Sequence, residues 1–413
     1  MNSIKSSLAS LLFCASLSAQ SDGIPWLQWG GPHRNFQTEA KLPDAWPAAG
    51  PKILWRRPLG EGYSSILVEN GRLYTTYRNM STEFVIAADA NTGKTIWEYS
   101  YSAPFHNDAA EEGNGPHATP AIAGDRIFTA GSSGKLHCLD KKTGKVLWEH
   151  DLWNLLYRGS ELIYGYASSP LVYRDTIILP VGGDGHAMMS FRQSDGSTVW
   201  KKGDAGNAYS SAVLIQVDGL EQAVVMTRFH VVSFNPINGD VQWSREHKAD
   251  YGLNIMTPLW GAGNVLVVSA SYGAGTTALE LSRSGNQTNV KELWHSHTFY
   301  VKHVDMQRIG DVLYAASGDS GPTPLTAVDV KTGKILWRQR GYPEANLIYA
   351  DGKVVILDQD GNLALARVSP EGLKVLSSVP SLLKNNAWTP PTLVGTRLYI
   401  RDRHEMMALD LAH

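Results

Sequence analysis

Residues 87–97 read AADANTGKTIW, and the phrase returns as CLDKKTGKVLW at 138–148 and AVDVKTGKILW at 327–337. A phrase that recurs this closely is either a ligand signature or a construction unit, and the rest of the chain decides which. Aligned on Ala-x-Asp-x-x-Thr-Gly-x-x-x-Trp, worn copies end at Trp200 (SFRQSDGSTVW), Trp243 (SFNPINGDVQW) and Trp294 (ALELSRSGNQTNVKELW), and ARVSPEGLKVL ends on Leu376. Successive ends lie 51, 52, 43, 51, 43 and 39 residues apart, which is the spacing of four-stranded propeller blades.

Each interval carries strand signals. RLYTTYR (72–78), RIFTAGS (126–132), TIILPVG (176–182) and VLYAAS (312–317) are rich in β-branched and aromatic residues, and most such runs follow a turn such as ENG, AGD or ADG. An apolar strand precedes each run, the Ala-x-Asp strand follows it, and the Trp strand closes the unit. Two leftovers complete the count. PKILWRR supplies Trp55 with no first half before it, and MMALDLAH supplies Ala408-x-Asp410 with no second half after it. The expected fold is all-β: an eight-bladed β-propeller of four-stranded antiparallel blades, its last blade closed by the N-terminal strand. The expected division is 1–19 signal peptide, 20–50 N-terminal extension and 51–413 propeller.

The phrase then reads as construction. Asp and Thr hold the turn between the third and fourth strands through side-chain bonds to nearby backbone, and Gly supplies the positive φ. Trp, on the outer strand, buries its face against the neighbouring blade, with the small Ala leaving room. Trp55, Trp97, Trp148, Trp200, Trp243, Trp294 and Trp337 are accordingly structural docking residues, since a ligand signature has no reason to recur in every blade.

With 37 basic and 39 acidic residues and no basic run, the chain has no field to hold nucleic acid. The start, MNSIKSSLASLLFCASLSAQ, has Lys5, then an apolar stretch, then small residues. That is signal-peptide organisation, with cleavage expected near Ala19 and a periplasmic or secreted location. Phe13, directly before Cys14, is larger than the residue bacterial lipoprotein signals place there. Once Cys14 leaves with the signal, Cys138 is alone, and it occupies the position of Ala87 and Ala327, so it reads as a small core residue. No later segment is long and apolar enough to span a membrane as a helix.

The repeated phrase resembles the tryptophan-docking repeat of the pyrroloquinoline quinone (PQQ) dehydrogenases. It is equally similar to that of PQQ-binding-like propellers without cofactor, such as the periplasmic lipoprotein of the outer-membrane β-barrel assembly machinery. WLQWGGPHRN (26–35) and YGYASSPLVYRDTIILPVGG (164–183) look like the secreted PQQ-like repeat proteins. The dehydrogenases are longer, and many carry two adjacent cysteines against the quinone, which the single Cys138 cannot supply.

Chemistry in a propeller gathers where the innermost strands open onto the central channel. The residues there are Tyr63 and Ser64, His117 and Thr119, Tyr166 and Ser168, Tyr209 and Ser210, Asn254 and Thr257, His303, Asn346, and Trp388 with Thr389. They offer a ring of hydroxyls with aromatic walls, matched to an uncharged polar ligand. The same hydroxyls can instead bond backbone between tightly packed inner strands. The loop FHNDAAEEGNGPHA (105–118) brings Asp108, Glu111 and Glu112 as candidate oxygen ligands for Ca2+, the ion used beside PQQ in the dehydrogenases. HSHTFYVKH clusters His295, His297 and His303, and alternation puts His295 and His297 on one face, which would permit Zn2+ with no third or fourth ligand identifiable; the insertion 151–166 offers Trp153, Tyr157, Tyr164 and Tyr166 as an aromatic lid or partner surface, or packs on its own blade.

No nucleophile elbow, phosphate loop or zinc-peptidase motif is present. The expected function is an exported, non-catalytic, monomeric propeller that binds a protein or glycan partner, with no cofactor expected. The alternative is a PQQ-dependent alcohol or sugar dehydrogenase with PQQ and Ca2+.

Overall fold

The computed structural model describes residues 23–107, 113–154, 157–159, 161–319 and 321–412. Its strands form eight antiparallel sheets of four. The first blade is β1 (Leu67–Glu69), β2 (Arg72–Asn79), β3 (Thr82–Asp89) and β4 (Thr95–Ser102), hydrogen-bonded in that order from the channel outward. The final blade takes Thr392–Val394, Arg397–Arg401 and Glu405–Asp410 from the C-terminus, and Lys52–Pro58 as its outer strand. The expected closure is therefore present. It is reinforced by Arg401, fully buried in the last blade, which donates to Ser64 O, Thr75 Oγ1 and Thr76 O of the first.

The repeated phrase does its structural work largely as read. Asp89 Oδ1 accepts from Thr92 N at 2.8 Å and Thr92 Oγ1 at 2.9 Å, and Asp140–Thr143 and Asp329–Thr332 repeat the arrangement. Gly93, Gly144 and Gly333 follow at φ 68°, 74° and 70°. The Trp ring, however, finds its space at this glycine of the next blade, not at the repeat's own Ala, which is simply its cross-strand neighbour (Ala87 opposite Trp97). A Cβ on Gly144 would lie 2.5 Å from Trp97 Cε3, and Gly93, Gly196 and Gly333 stand against Trp55, Trp148 and Trp294 in the same way. The indole N–H then donates to a carbonyl of that blade: Trp55 to Ala90, Trp97 to Lys141, Trp148 to Gln193, Trp200 to Pro236, Trp294 to Val330 and Trp337 to Ser369. Trp337 keeps the bond but not the glycine contact, since a Cβ on Gly372 would meet nothing within 4 Å, and Trp243 departs from the rule altogether. The blade after it replaces the tight turn by a long hairpin, Gly275–Ser284 with Gln287–Ser296, and Trp243 donates to Gln222 Oε1 of its own blade.

A bulge accompanies each docking residue. Trp97 pairs with Ala87 but Thr95 pairs with Ala88, so Ile96 is an extra residue on the outer strand; the register slips just before the Trp in all seven Trp-bearing blades, and in the blade that ends on Leu376 the extra residue is Leu376 itself. A bulge bends and twists its strand. It leaves Ile96, Leu147 and Val199 outside and turns the next residue, Trp, toward its neighbour.

The N-terminal extension has a task the sequence did not reveal. Trp26 bridges Val68, Leu27 O accepts from Ile122 N, Arg34 donates to Pro170 O, and Gln37 to Arg308 O. Phe36 O accepts from Tyr349 N, and Trp29 Nε1 donates to Thr257 Oγ1 at 3.1 Å. One segment thus touches six blades, within or directly before their inner strands, and so crosses the channel and stops one end of it. Trp26, Phe36, Leu42 and Trp46 are buried there with Leu67, Tyr74 and Ile348. Cys138 is a buried core residue opposite Trp148, and burial pushes its thiol up to about 12. The signal-peptide residues 1–19 lie outside the described residues.

Candidate functional site

Just before each inner strand begins, the chain places alternate residues on the channel. The outer tier is Tyr63, His117, Ala167, Tyr209, Ile255, His303, Glu344 and Trp388; two residues on, Ser169, Ser211, Thr257, Asp305 and Pro390 also reach the channel cavity, whereas Ser65, Thr119 and Asn346, at the corresponding positions, are not part of its lining. All the outer tier except Glu344 lines a cavity of about 370 Å3, floored in part by Trp29 from the plug and by Ser169, Ser211, Thr257 and Asp305. With the plug at the far end, the channel is a blind pocket open at one mouth.

Six of the sequence candidates meet here: Tyr63, His117, Tyr209, Thr257, His303 and Trp388. The other eight do not, because strand alternation or burial turns them away. Ser64 and Ser210 bond the carbonyl of the following residue, Ser168 bonds Ser210 O, and Tyr166 OH donates to Pro180 O at 2.8 Å. Asn254 donates to Thr227 O and His247 O, Asn346 donates to Trp388 O, and Thr389 is buried. Thr119 belongs to a seam between blades. Ser65 N donates to Thr119 Oγ1, Thr119 N to Ser169 Oγ, and Ser169 N to Ser211 Oγ, each at 2.9 Å. These hydroxyl oxygens accept from the neighbouring blade, which is the backbone role weighed against a ligand role above.

The walls are aromatic. Tyr63 stacks on His117 (centroids 5.9 Å apart, planes 6°) and meets Trp388 at 5.4 Å, and Trp388 meets His303 at 4.5 Å. Burial pushes the His117 imidazole down to about 4, so it is neutral at physiological pH. His303 Nε2 lies 2.9 Å from Glu344 Oε2. On the floor, burial raises the Asp305 carboxyl to about 8 against the pull of Arg34, and lowers Arg34 to about 10 against the pull of Asp305. Lys302 and Asp305 flank His303 in the same strand opening without being singled out in the sequence, and Trp29 and Arg34 were read only as part of the family-like stretch 26–35.

A second depression of about 380 Å3 shares Tyr164, Tyr209, Leu253 and Tyr272 with the first and continues it outward past Arg228. Ile163 (71% exposed) and Tyr251 (82% exposed) stand on it. Of the insertion 151–166, Tyr164 reaches this groove, whereas Trp153 packs on Gly134 and Tyr157 on His150.

The metal and cofactor candidates separate. Asp108, Glu111 and Glu112 lie outside the described residues. His303 sits in the pocket, away from the His295–His297 pair. A quinone with three carboxylates needs several cations, and Ca2+ needs six to eight oxygens. Among the described residues the pocket lining offers one ammonium, Lys302, and one carboxylate, Asp305, and no group of three His, Cys, Asp or Glu could hold a metal. The described residues do not fit PQQ with Ca2+.

The family model described as outer membrane protein assembly factor BamB matches residues 81–339, more than half of the chain. The chain belongs to the BamB family. It is 23% identical over 384 residues to the outer membrane protein assembly factor BamB of Shewanella oneidensis, covering 87% of this chain and 88% of that one. The crystal structure of BamB from Moraxella catarrhalis superposes with a TM-score of 0.57 at 17% identity, covering 87% of this chain and 99% of that chain. The quinohemoprotein alcohol dehydrogenase ADHIIG of Pseudomonas putida HK5 has the same fold, with a TM-score of 0.64 at 12% identity over 94% of this chain and 80% of that one. BamB-family propellers and quinoprotein dehydrogenases thus share this fold. Among the described residues no helix is long and apolar enough to cross a membrane.

Proposed function

We propose that this BamB-family propeller is an exported, non-catalytic scaffold that receives a segment of a protein partner at its open mouth. The observation that carries the reading is the blind aromatic pocket, which runs without a break into an exposed groove bearing Ile163, Tyr164 and Tyr251. A side chain can anchor in the pocket while the flanking chain lies along the groove, as in interfaces built on buried anchors. Kinship with proteins named as outer membrane protein assembly factors favours a protein over the glycan also expected from the sequence. The same kinship, with the signal-like N-terminus, supports a location in the cell envelope beyond the cytoplasm.

The test uses Trp388→Ala and Tyr63→Ala, with circular dichroism and thermal unfolding to show that each variant is folded. Both should lose a partner that cross-links to and co-purifies with the unaltered chain. Full retention of that partner by both folded variants contradicts the reading.

A further inference from the structure

His295 is the last residue but one of the outer strand Gln287–Ser296 of the fifth blade and His297 stands just past it, both exposed to solvent. Their Nε2 atoms are 3.2 Å apart, with ring planes at 79°. Two imidazoles bound to one tetrahedral Zn2+, at ~2.0–2.1 Å each, hold their nitrogens about 3.3 Å apart. The pair therefore already has the bite of a chelate.

Thr277 adds a second, independent observation. It faces His295 across the hairpin, and its Oγ1 lies 2.9 Å from His295 Nδ1. When Nδ1–H donates to that hydroxyl, Nε2 keeps its lone pair. Hydrogen bonds of this kind fix the tautomer and orientation of metal-binding imidazoles. Without metal, His297 Nε2–H then donates to His295 Nε2. An arriving cation replaces that proton, which moves to Nδ1 of His297, so binding is balanced without an acid or base from elsewhere.

The neighbouring charges leave the pair accessible. Glu292 and Arg245 bond to each other. His247 is buried beside the hairpin. Among the described residues no third His, Cys, Asp or Glu completes a cluster. The remaining coordination positions fall to water, as in an open site.

We propose that His295 and His297 form a surface chelate for a divalent transition-metal ion of the Zn2+ class, bound through both Nε2 atoms and oriented by Thr277. The site lies apart from the channel mouth and does not depend on what binds there. Calorimetric titration of the full chain with ZnCl2 in a non-coordinating buffer should show one site per chain. His295→Ala and His297→Ala should each weaken it at least ~10-fold, and Thr277→Val about 10-fold, the loss typical of an orienting partner. Unchanged thermal unfolding of the metal-free variants would show that they are folded. Nitrogen NMR of the metal-free chain should find the proton of His295 on Nδ1. Zn2+ binding that survives the double His295→Ala/His297→Ala variant overturns the proposal, as does a His295 proton on Nε2.

Discussion

Replacing Gly144 with alanine tests the docking of one blade on the next. Gly144 sits at φ 74°, and a Cβ there would lie 2.5 Å from Trp97 Cε3 and 2.7 Å from Cδ2. The left-handed backbone alone costs an alanine about 1 kcal/mol. To make room the indole must retreat by roughly an ångström, because carbon contacts settle near 3.5–4.0 Å. Retreat breaks the bond from Trp97 Nε1 to Lys141 O, now 3.0 Å long, a net loss of about 1 kcal/mol. It also re-exposes part of the ring, a further ~1–2 kcal/mol. The total is about 3–4 kcal/mol. Gly124 is the matched control: it lies in the same blade at φ 55° and has nothing within 4 Å of the added carbon, so Gly124→Ala should cost only the backbone share, about 1 kcal/mol. In urea, with a slope of at least about 3 kcal/mol per M for a chain of this size, the midpoints should fall by about 1 M and 0.3 M. A Trp97→Leu background should bring the cost of Gly144→Ala down to that of Gly124→Ala. Equal shifts for the two glycines in the native background would refute the reasoning.

Three further outcomes follow from the same structure. Burial pushes the Asp305 carboxyl up to about 8 in the folded protein against an ordinary 3.8, so between those values the native state holds the extra proton and stability drains away as pH rises. Asp305→Asn should remove that drain, so its urea midpoint relative to the unaltered chain should climb from pH 5 to pH 9; a constant difference would count against a carboxyl that burial keeps protonated despite Arg34. Thr119→Val leaves Ser65 N without its acceptor and should destabilise by about 1–3 kcal/mol, measured by denaturant unfolding, while Thr119→Ser should restore most of it. Glu83 is fully buried, accepts from Ser132 N, Ser132 Oγ and Tyr101 OH, and faces Arg78 at 4.0 Å. Glu83→Ala leaves that guanidinium buried without its counter-charge and should cost about 3–5 kcal/mol in the same assay.

The wheel was legible because each blade repeats the same solution to the same packing problem, and repetition survives wear. The worn copies at Trp200 and Trp294 still dock like the sharp one at Trp97, because turn glycine and indole are the parts that matter. The bulge at Ile96 was not legible, since it adds no unusual residue and only offsets the pairing. The mouth was legible as a set of strand openings but not residue by residue: Ser168 and Ser210 were named, whereas Ser169 and Ser211 line the cavity, because strings such as YSS and ASS do not reveal which serine the pleat turns inward. The plug was invisible, since contacts such as Trp29 with Thr257 span 228 positions and follow no period.

The claim that matters most is that a protein partner enters by the mouth and not along the outer rim. Site-specific photo-cross-linking in living cells measures it directly, with benzoylphenylalanine placed at Tyr164 on the groove or at Ile96 on an outer strand, two positions of nearly equal exposure (41% and 44%). Cross-linking to one envelope protein from Tyr164, lost when Trp388→Ala is added, is the expected result. Cross-linking from Ile96 alone, or from Tyr164 with no dependence on Trp388, would contradict it.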